Sequence, residues 1–179
     1  MKIAVLGSGG WGTALAVLLH GNGHEVTLWT FFPEEAERLD RQRMNEKLLP
    51  GVKIPAEIGA TTDRAEAVAA AEIVILAVPS RAVRQTAKDF APYFKKEQIL
   101  VNVAKGLEEG SLLRLSEVIR ECVPECEVCV LSGPSHAEEV ARNLPSACLI
   151  ASEKEETAKL VQREFMNPRF RLYTNTDMI

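Results

Sequence analysis

No apolar stretch in this chain approaches the roughly 20 residues that a membrane-spanning helix requires, which excludes a helical span within the sequence. No basic stripe appears, and the net charge of −4 argues against a nucleic-acid partner. The first strand-like run starts at Lys2 and leaves no room for a signal peptide, so the expected location is the cytoplasm. There are four cysteines, and in that compartment they do not suggest a disulfide framework. Cys122, Cys126 and Cys129 lie close together, but on a helix end, a turn and a strand. Ligands on such different elements rarely converge, and no fourth ligand stands at useful spacing, so no metal site is expected. Buried, apolar cysteine is the default. Internal repeats, low-complexity segments and long linkers are absent as well. At 179 residues, with 46% hydrophobic and 26% charged residues, the chain fits one ordinary globular domain.

What is present begins at the seventh residue. Gly7-Ser8-Gly9-Gly10-Trp11-Gly12 reads G-x-G-x-x-G. It stands between the apolar run Lys2–Leu6 and the helical run that begins Thr13-Ala14-Leu15. That context gives the glycines work: a sharp turn, close approach of a pyrophosphate to the backbone, and close packing of helix on strand. The N–H groups at the helix start would hold the phosphate charge. Gly7, Gly9, Gly10, Trp11 and Gly12 are therefore candidate cofactor-binding residues. The plain alternative is a tight glycine turn without a ligand.

Strands alternate with helices along the rest of the chain. Short, β-branched, nearly continuous apolar runs predict strands at Lys2–Leu6, Glu25–Trp29, Glu72–Ala77, Gln98–Val103, Glu127–Leu131, Ala147–Ala151 and Phe170–Tyr173. Helices are expected near 12–22, 34–46, 63–70, 80–91, 111–122, 135–142 and 153–165. Ser135–Glu138 and Ser152–Glu155 fit capping boxes, Pro33 precedes two glutamates at a helix start, and Gly23 suits a helix end. Leu48–Gly59 holds two prolines and two glycines and reads as a connection. The pattern predicts an α/β fold: a doubly wound, Rossmann-type, mostly parallel sheet of about seven strands with helices on both faces.

In such sheets, ligands lie outside the carboxyl ends of the strands. The residues just after the first five strands therefore belong together: the glycine turn, Thr30–Pro33, Val78–Ser80, Ala104–Leu107 and Ser132–Ala137. Lys105 is the only cation among these segments and is placed to meet an anionic substrate. An exposed surface lysine is the alternative. The second strand shows an absence. NAD-binding folds often place Asp or Glu there on the ribose hydroxyls, and NADP-binding folds offer Arg for the 2′-phosphate. Positions 28–32 are Leu-Trp-Thr-Phe-Phe, with neither charge. Phe31 and Phe32 could form a shelf for adenine, with one of the two expected in the core.

Taken together, Gly7–Ala16, Ala104–Leu107 and Ser132-Gly133-Pro134-Ser135 followed by Ala137 resemble the glycerol-3-phosphate dehydrogenase family in its bacterial form, which serves phospholipid synthesis. Asn22–Trp29, Leu49–Val52, Val78–Ser80 and Phe170–Tyr173 match in order and spacing, so the resemblance runs the length of the chain. It implies hydride transfer between NAD or NADP and the pair dihydroxyacetone phosphate and sn-glycerol 3-phosphate. It implies that Gly10 and Trp11 touch the dinucleotide and that Phe31 or Phe32 lies against the adenosine. It also implies that Lys105 touches both cofactor and substrate, that Gly133 and Ser135 touch the substrate, and that Ala137 approaches the nicotinamide through its backbone.

Two departures follow from the same resemblance. Bacterial members that use NADPH usually carry Arg or His after the second strand, where this chain has Phe31-Phe32; NAD(H) is therefore expected to bind at least as well as NADP(H). The family's catalytic lysine and much of its phosphate site come from a helical C-terminal substrate domain that is absent from these residues. Residues 1–179 are thus expected to form a dinucleotide-binding domain with no catalytic residue of their own, inactive in isolation. A dehydrogenase of another hydroxy compound, or a non-catalytic dinucleotide-binding module, are the alternatives.

Overall fold

A computed structural model describes residues 1–178. In chain order its regular elements are β1 (Lys2–Leu6), α1 (Gly10–Gly21), β2 (Glu25–Trp29), α2 (Pro33–Gln42), β3 (Met44–Asn45), β4 (Leu49–Lys53), β5 (Gly59–Thr61), α3 (Arg64–Val68), β6 (Ile73–Leu76), α4 (Val83–Phe90), β7 (Ile99–Asn102), α5 (Leu115–Cys122), β8 (Glu127–Ser132), α6 (Ala137–Ala141), β9 (Ser146–Ser152), α7 (Glu155–Phe165) and β10 (Phe170–Asn175). Short 3-10 turns at Ser80–Ala82 and Ala91–Tyr93 flank α4.

Eight strands form the main sheet in the order β10-β9-β8-β7-β6-β1-β2-β5. Pairing is parallel throughout except between β8 and β9, so β9 and β10 run against the rest. The first strand lies between β2 and β6, and chain progression reverses direction there. That reversal opens a crevice at the carboxyl edge, where this class of sheet takes ligands.

Residues Ile73 to Leu76 of β6 are completely buried. Both faces of the sheet are covered, so alternate residues of one strand enter different cores. Ile3 and Val5 pack with Leu15 and Leu19 of α1 and Phe165 of α7. Ala4 and Leu6 pack with Val68 of α3, Phe90 of α4 and Ile119 of α5. This explains why the strand sequences are continuously apolar rather than alternating. Each large side chain so buried contributes about 1.5–3 kcal/mol.

Local signals set several helix ends, those expected at Gly23 and Pro33 among them. Gly23 adopts φ +91° beyond α1, donating to the His20 carbonyl at 2.9 Å while His24 N–H reaches Leu19 at 3.2 Å. Those two bonds close the helix in the Schellman manner. Asp63 caps α3 by accepting from Glu66 N–H at 2.8 Å. Pro33 occupies the first turn of α2.

Other expectations are corrected. The main sheet has eight strands rather than about seven, because Gly59–Thr61 adds β5 beside β2. Leu48–Gly59 is more than a connection: β4 pairs antiparallel with β3, and Leu49 is fully buried. Pro50 and Gly51 hid this strand, and they are tolerated because a two-stranded ribbon leaves edge positions free. The helix expected to 46 ends at Gln42, where Arg43 turns left-handed at φ 53°. Arg43 is held there by Nη1 donating to the Ile58 carbonyl at 2.7 Å, a long-range bond with no local signature. The helix expected near 111 begins only at Leu115, after Leu112 takes φ 59°. Neither Ser135 nor Ser152 caps a helix: the cap residues of α6 and α7 are His136 and Lys154, without side-chain cap bonds.

The cysteines agree with the apolar reading. Cys126, Cys129 and Cys148 are buried and Cys122 is partly buried, all as free thiols. Among the described residues, no group of three His, Cys, Asp or Glu is arranged to hold a metal ion. Nor is any helix among them long and apolar enough to cross a membrane.

Candidate functional site

The glycine turn joins β1 to α1, and each glycine answers a different constraint. Gly7 takes φ +119°, and a Cβ there would stand 2.7 Å from the Ala77 carbonyl oxygen after β6. Gly12 is blocked more severely, since its Cβ would fall 1.9 Å from the Gly7 oxygen. The start of α1 therefore packs directly on the turn. At Gly10, a Cβ would meet the Leu48 carbonyl oxygen at 2.5 Å. Gly9 differs: nothing in the protein lies within 4 Å of its Cβ position. Packing alone does not require glycine there. It is the N-cap of α1, and no side chain caps the first turn. Gly9 therefore leaves the helix start open to an outside group.

That opening leads into a cleft of about 620 Å³. Gly7, Gly9, Gly10, Trp11, Phe31, Phe32 and Lys105 all line it, joined by Thr30, Glu35 and Pro79 among others. Gly12 does not line it; it is buried behind the turn. There it packs tightly against the Gly7 carbonyl. Two further recesses adjoin the cleft. One of about 240 Å³ is lined by Trp11, Lys105, Ser135 and Ala137. The other, of about 560 Å³, is lined by Lys105, Gly133, Arg114 and Asp177 among others. Lys105 belongs to all three, so this lysine links the cleft to both recesses.

Lys105 is held from two sides. Its Nζ donates to the Gly133 carbonyl at 3.2 Å. Upstream, the buried Asn102 brackets Ala104, donating to its carbonyl at 3.0 Å and accepting from its N–H at 3.3 Å. Gly106 then leaves the turn at φ +102°. Gly133 lies so close to β9 that a Cβ would meet the Cys148 Cα at 2.9 Å. Ser135 N–H donates to the same Gly133 carbonyl at 3.0 Å. Ala137 opens α6 and packs near Trp11 and Ala14 of α1.

The aromatic pair departs from expectation. Neither phenylalanine is in the core: Phe31 is 63% exposed and Phe32 56%. They stand edge to face at 5.3 Å, with Trp29 edge-on to Phe31 at 6.4 Å. Two large aromatic faces exposed at a cleft mouth suit a flat apolar ligand group.

Three residues of the site escaped sequence reading. Asn45, completely buried on β3, donates to the Ser8 carbonyl at 2.7 Å and to Thr13 Oγ1 at 3.2 Å. It braces the glycine turn from a segment read as helix. Asn102 falls inside the strand expected at Gln98–Val103, with nothing in the local sequence to mark it. Glu35, on α2, accepts from Thr30 Oγ1 at 2.7 Å and brings a carboxylate to the second strand, where positions 28–32 show none. The only available signal for Glu35 was its place in a first helical turn.

The comparisons agree with this geometry. A family model described as NAD-dependent glycerol-3-phosphate dehydrogenase N-terminus matches residues 2–158. A glycerol-3-phosphate dehydrogenase (NAD(P)+) of Fusobacterium nucleatum is 48% identical over 181 residues, covering 100% of this chain and 54% of the relative. Its counterpart in Thermoanaerobacter sp. is 49% identical over 179 residues, with the same two coverages of 100% and 54%. The crystal structure of glycerol-3-phosphate dehydrogenase from Coxiella burnetii superposes with a TM-score of 0.94 at 33% identity, over 99% of this chain and 54% of that one. The chain thus spans about half the length of the curated relatives it matches. By the match over residues 2–158, the chain belongs to the family of NAD-dependent glycerol-3-phosphate dehydrogenase N-terminal domains.

Proposed function

We propose that this chain holds a nicotinamide dinucleotide, NAD(H) or NADP(H), in the cleft between Gly9 and Lys105, as the cofactor half of a cytoplasmic glycerol-3-phosphate dehydrogenase. Its substrates in that role are dihydroxyacetone phosphate and sn-glycerol 3-phosphate. The observation that carries the reading is Gly9. Gly7, Gly10 and Gly12 are each blocked by protein backbone, whereas Gly9 faces open space at an uncapped helix start. That is the arrangement a pyrophosphate requires.

The residues divide the work by position. The first-turn N–H groups of α1 hold the pyrophosphate, and Phe31 and Phe32 flank the adenosine. Trp11 and Ala137 line the nicotinamide end. Lys105, beside Gly133 and Ser135, holds the substrate phosphate while touching the cofactor. The bound cofactor supplies the hydride, and this domain supplies orientation. Lys105 is assigned to holding the anion, so the proton donor and acceptor of the reaction is a different group. We assign that group to a helical substrate domain in the part of the relatives that this chain does not match.

Titration calorimetry of the purified chain with NADH tests the binding half; weak, saturable binding is expected, and its absence with both NADH and NADPH would remove the reading. Mixing NADH, dihydroxyacetone phosphate and the chain, then following absorbance, tests the assignment of roles. Missing general acid–base help alone costs about 10²–10⁴-fold, so no turnover above background is expected. Turnover at ordinary rates, about 1–10³ per second, would place the acid–base group within these residues.

A further inference from the structure

The carboxyl end of β2 carries a pair that the glycine motif does not involve. Thr30 is buried, and its Oγ1 donates to Oε2 of Glu35 at 2.7 Å. Glu35 sits in the first turn of α2, and its side chain is 17% exposed. It lines the same cleft as Gly9, Phe31 and Phe32. Its other oxygen, Oε1, lies 3.6 Å from Nη2 of Arg38 one turn further on. Arg38 does not line the cleft. In a doubly wound sheet, the end of the second strand is where the adenosine ribose of a dinucleotide rests.

We propose that Glu35, fixed by Thr30, reads the 2′ position of that ribose: it accepts a hydrogen bond from the 2′-hydroxyl of NAD(H) and excludes the 2′-phosphate of NADP(H). The inference rests on the dinucleotide reading above. A carboxylate accepts and does not donate, so it suits a hydroxyl and repels a phosphate. Thr30 occupies part of one oxygen and leaves lone pairs for a second donor. Partial burial keeps the repulsion from being screened by water. Arg38 is the cation paired with Glu35. To neutralise a 2′-phosphate it would have to leave Glu35, and the carboxylate would then stand unpaired beside the phosphate.

Calorimetric titration of NADH and NADPH into the chain, for wild type, Glu35→Gln, Thr30→Val and Arg38→Met, tests the proposal. The wild type is expected to favour NADH by about tenfold or more, the scale of one charge-assisted hydrogen bond. Glu35→Gln keeps the shape and removes the charge. It should strengthen NADPH and weaken NADH, collapsing the ratio; loss of fold would weaken both together. Thr30→Val should shrink the ratio in the same direction without touching the carboxylate, and Arg38→Met should leave NADPH no weaker. An unchanged ratio in both Glu35→Gln and Thr30→Val overturns the proposal while the dinucleotide reading stands. A wild type that favours NADPH and loses that preference in Arg38→Met overturns it too, in favour of Arg38. Binding of neither dinucleotide by the wild type removes the underlying reading and the proposal with it.

Discussion

Asn45 donates from Nδ2 to the carbonyl of Ser8 across 2.7 Å, tying a two-residue strand to the glycine turn 37 positions earlier. Thr13 Oγ1 donates to the same carbonyl at 3.2 Å and accepts from Asn45 at 3.2 Å. The three groups form a closed, buried knot directly beneath the ligand-facing turn. Asn45→Ala removes two of its bonds at a fully buried position. A loss of about 1–3 kcal/mol is expected, or several degrees of Tm for a chain of this size. Thermal unfolding by circular dichroism measures it. Dinucleotide affinity should fall as well, because the turn loses its brace. An unchanged Tm would show that Thr13 alone suffices.

Two alanine substitutions three residues apart should behave in opposite ways. At Gly12, the new Cβ would lie 1.9 Å from a backbone oxygen, which neither neighbour can relieve. Gly12→Ala should cost more than about 3 kcal/mol, beyond ordinary overpacking. At Gly9 the space is open and φ is −62°, a value any residue adopts. Gly9→Ala should change stability by about 1 kcal/mol or less. It should nevertheless weaken NADH binding by about tenfold or more, equivalent to about 1.4 kcal/mol. Unfolding and titration measured on both variants separate packing from ligand approach.

Acid should loosen the region behind Lys105. Arg84 holds Glu108 through two bonds of 2.7 and 2.8 Å. Those bonds, with a further one from Ser111, bring the Glu108 carboxyl down from 4.5 to about 2. Glu117 is likewise brought down to about 2, by the Arg114 guanidinium and backbone N–H. A carboxyl depressed in the folded state stabilises the fold above its ordinary value and loses that contribution as pH falls through the folded value. Wild-type Tm should therefore decline between about pH 4.5 and pH 2, and Glu108→Gln should flatten that decline. An identical slope in the variant would show that the pair contributes nothing.

The thiols should resist modification until the chain unfolds. Burial pushes Cys126 and Cys129 up to about 11, and raises Cys148 as well. At pH 8 only about one thiol in a thousand of the first two is then thiolate, the reactive form. A chromogenic disulfide reagent should react slowly with the native protein and release four equivalents in guanidinium. Rapid native reaction, mapped by peptide analysis to Cys126 or Cys129, would contradict the buried reading. The sign also applies to stability: thiols raised in the fold stabilise it below their ordinary value near 9 and cease to do so as pH rises toward about 11.

The sequence by itself determined the features whose cause is local. Continuous apolar runs such as Ile73–Leu76 announce strands covered on both faces, and the structure buries them completely. Gly7 and Gly23 require positive φ, and each sits where the chain turns. The alternation of strands and helices then leaves little choice beyond a doubly wound sheet. In such a sheet, the loops at one edge must meet. For that reason the sequence alone groups Trp11, Phe31 and Lys105, which lie far apart in the chain.

Only the tertiary structure decided what depends on partners distant in sequence. Arg43 ends α2 because Ile58 holds its guanidinium, not because of any helix-stop residue. Asn45 and Asn102 look like ordinary polar positions until burial leaves their amides beside unpaired backbone groups. Phe31 and Phe32 carry the same side chain as core residues, and only the geometry of the β2 edge turns both outward. Glu35 gains its place from Thr30 five residues away, across the strand-to-helix corner. Hydrophobic periodicity and glycine conformation are written into each short segment; a hydrogen bond between segments exists only after packing has excluded water from both its ends.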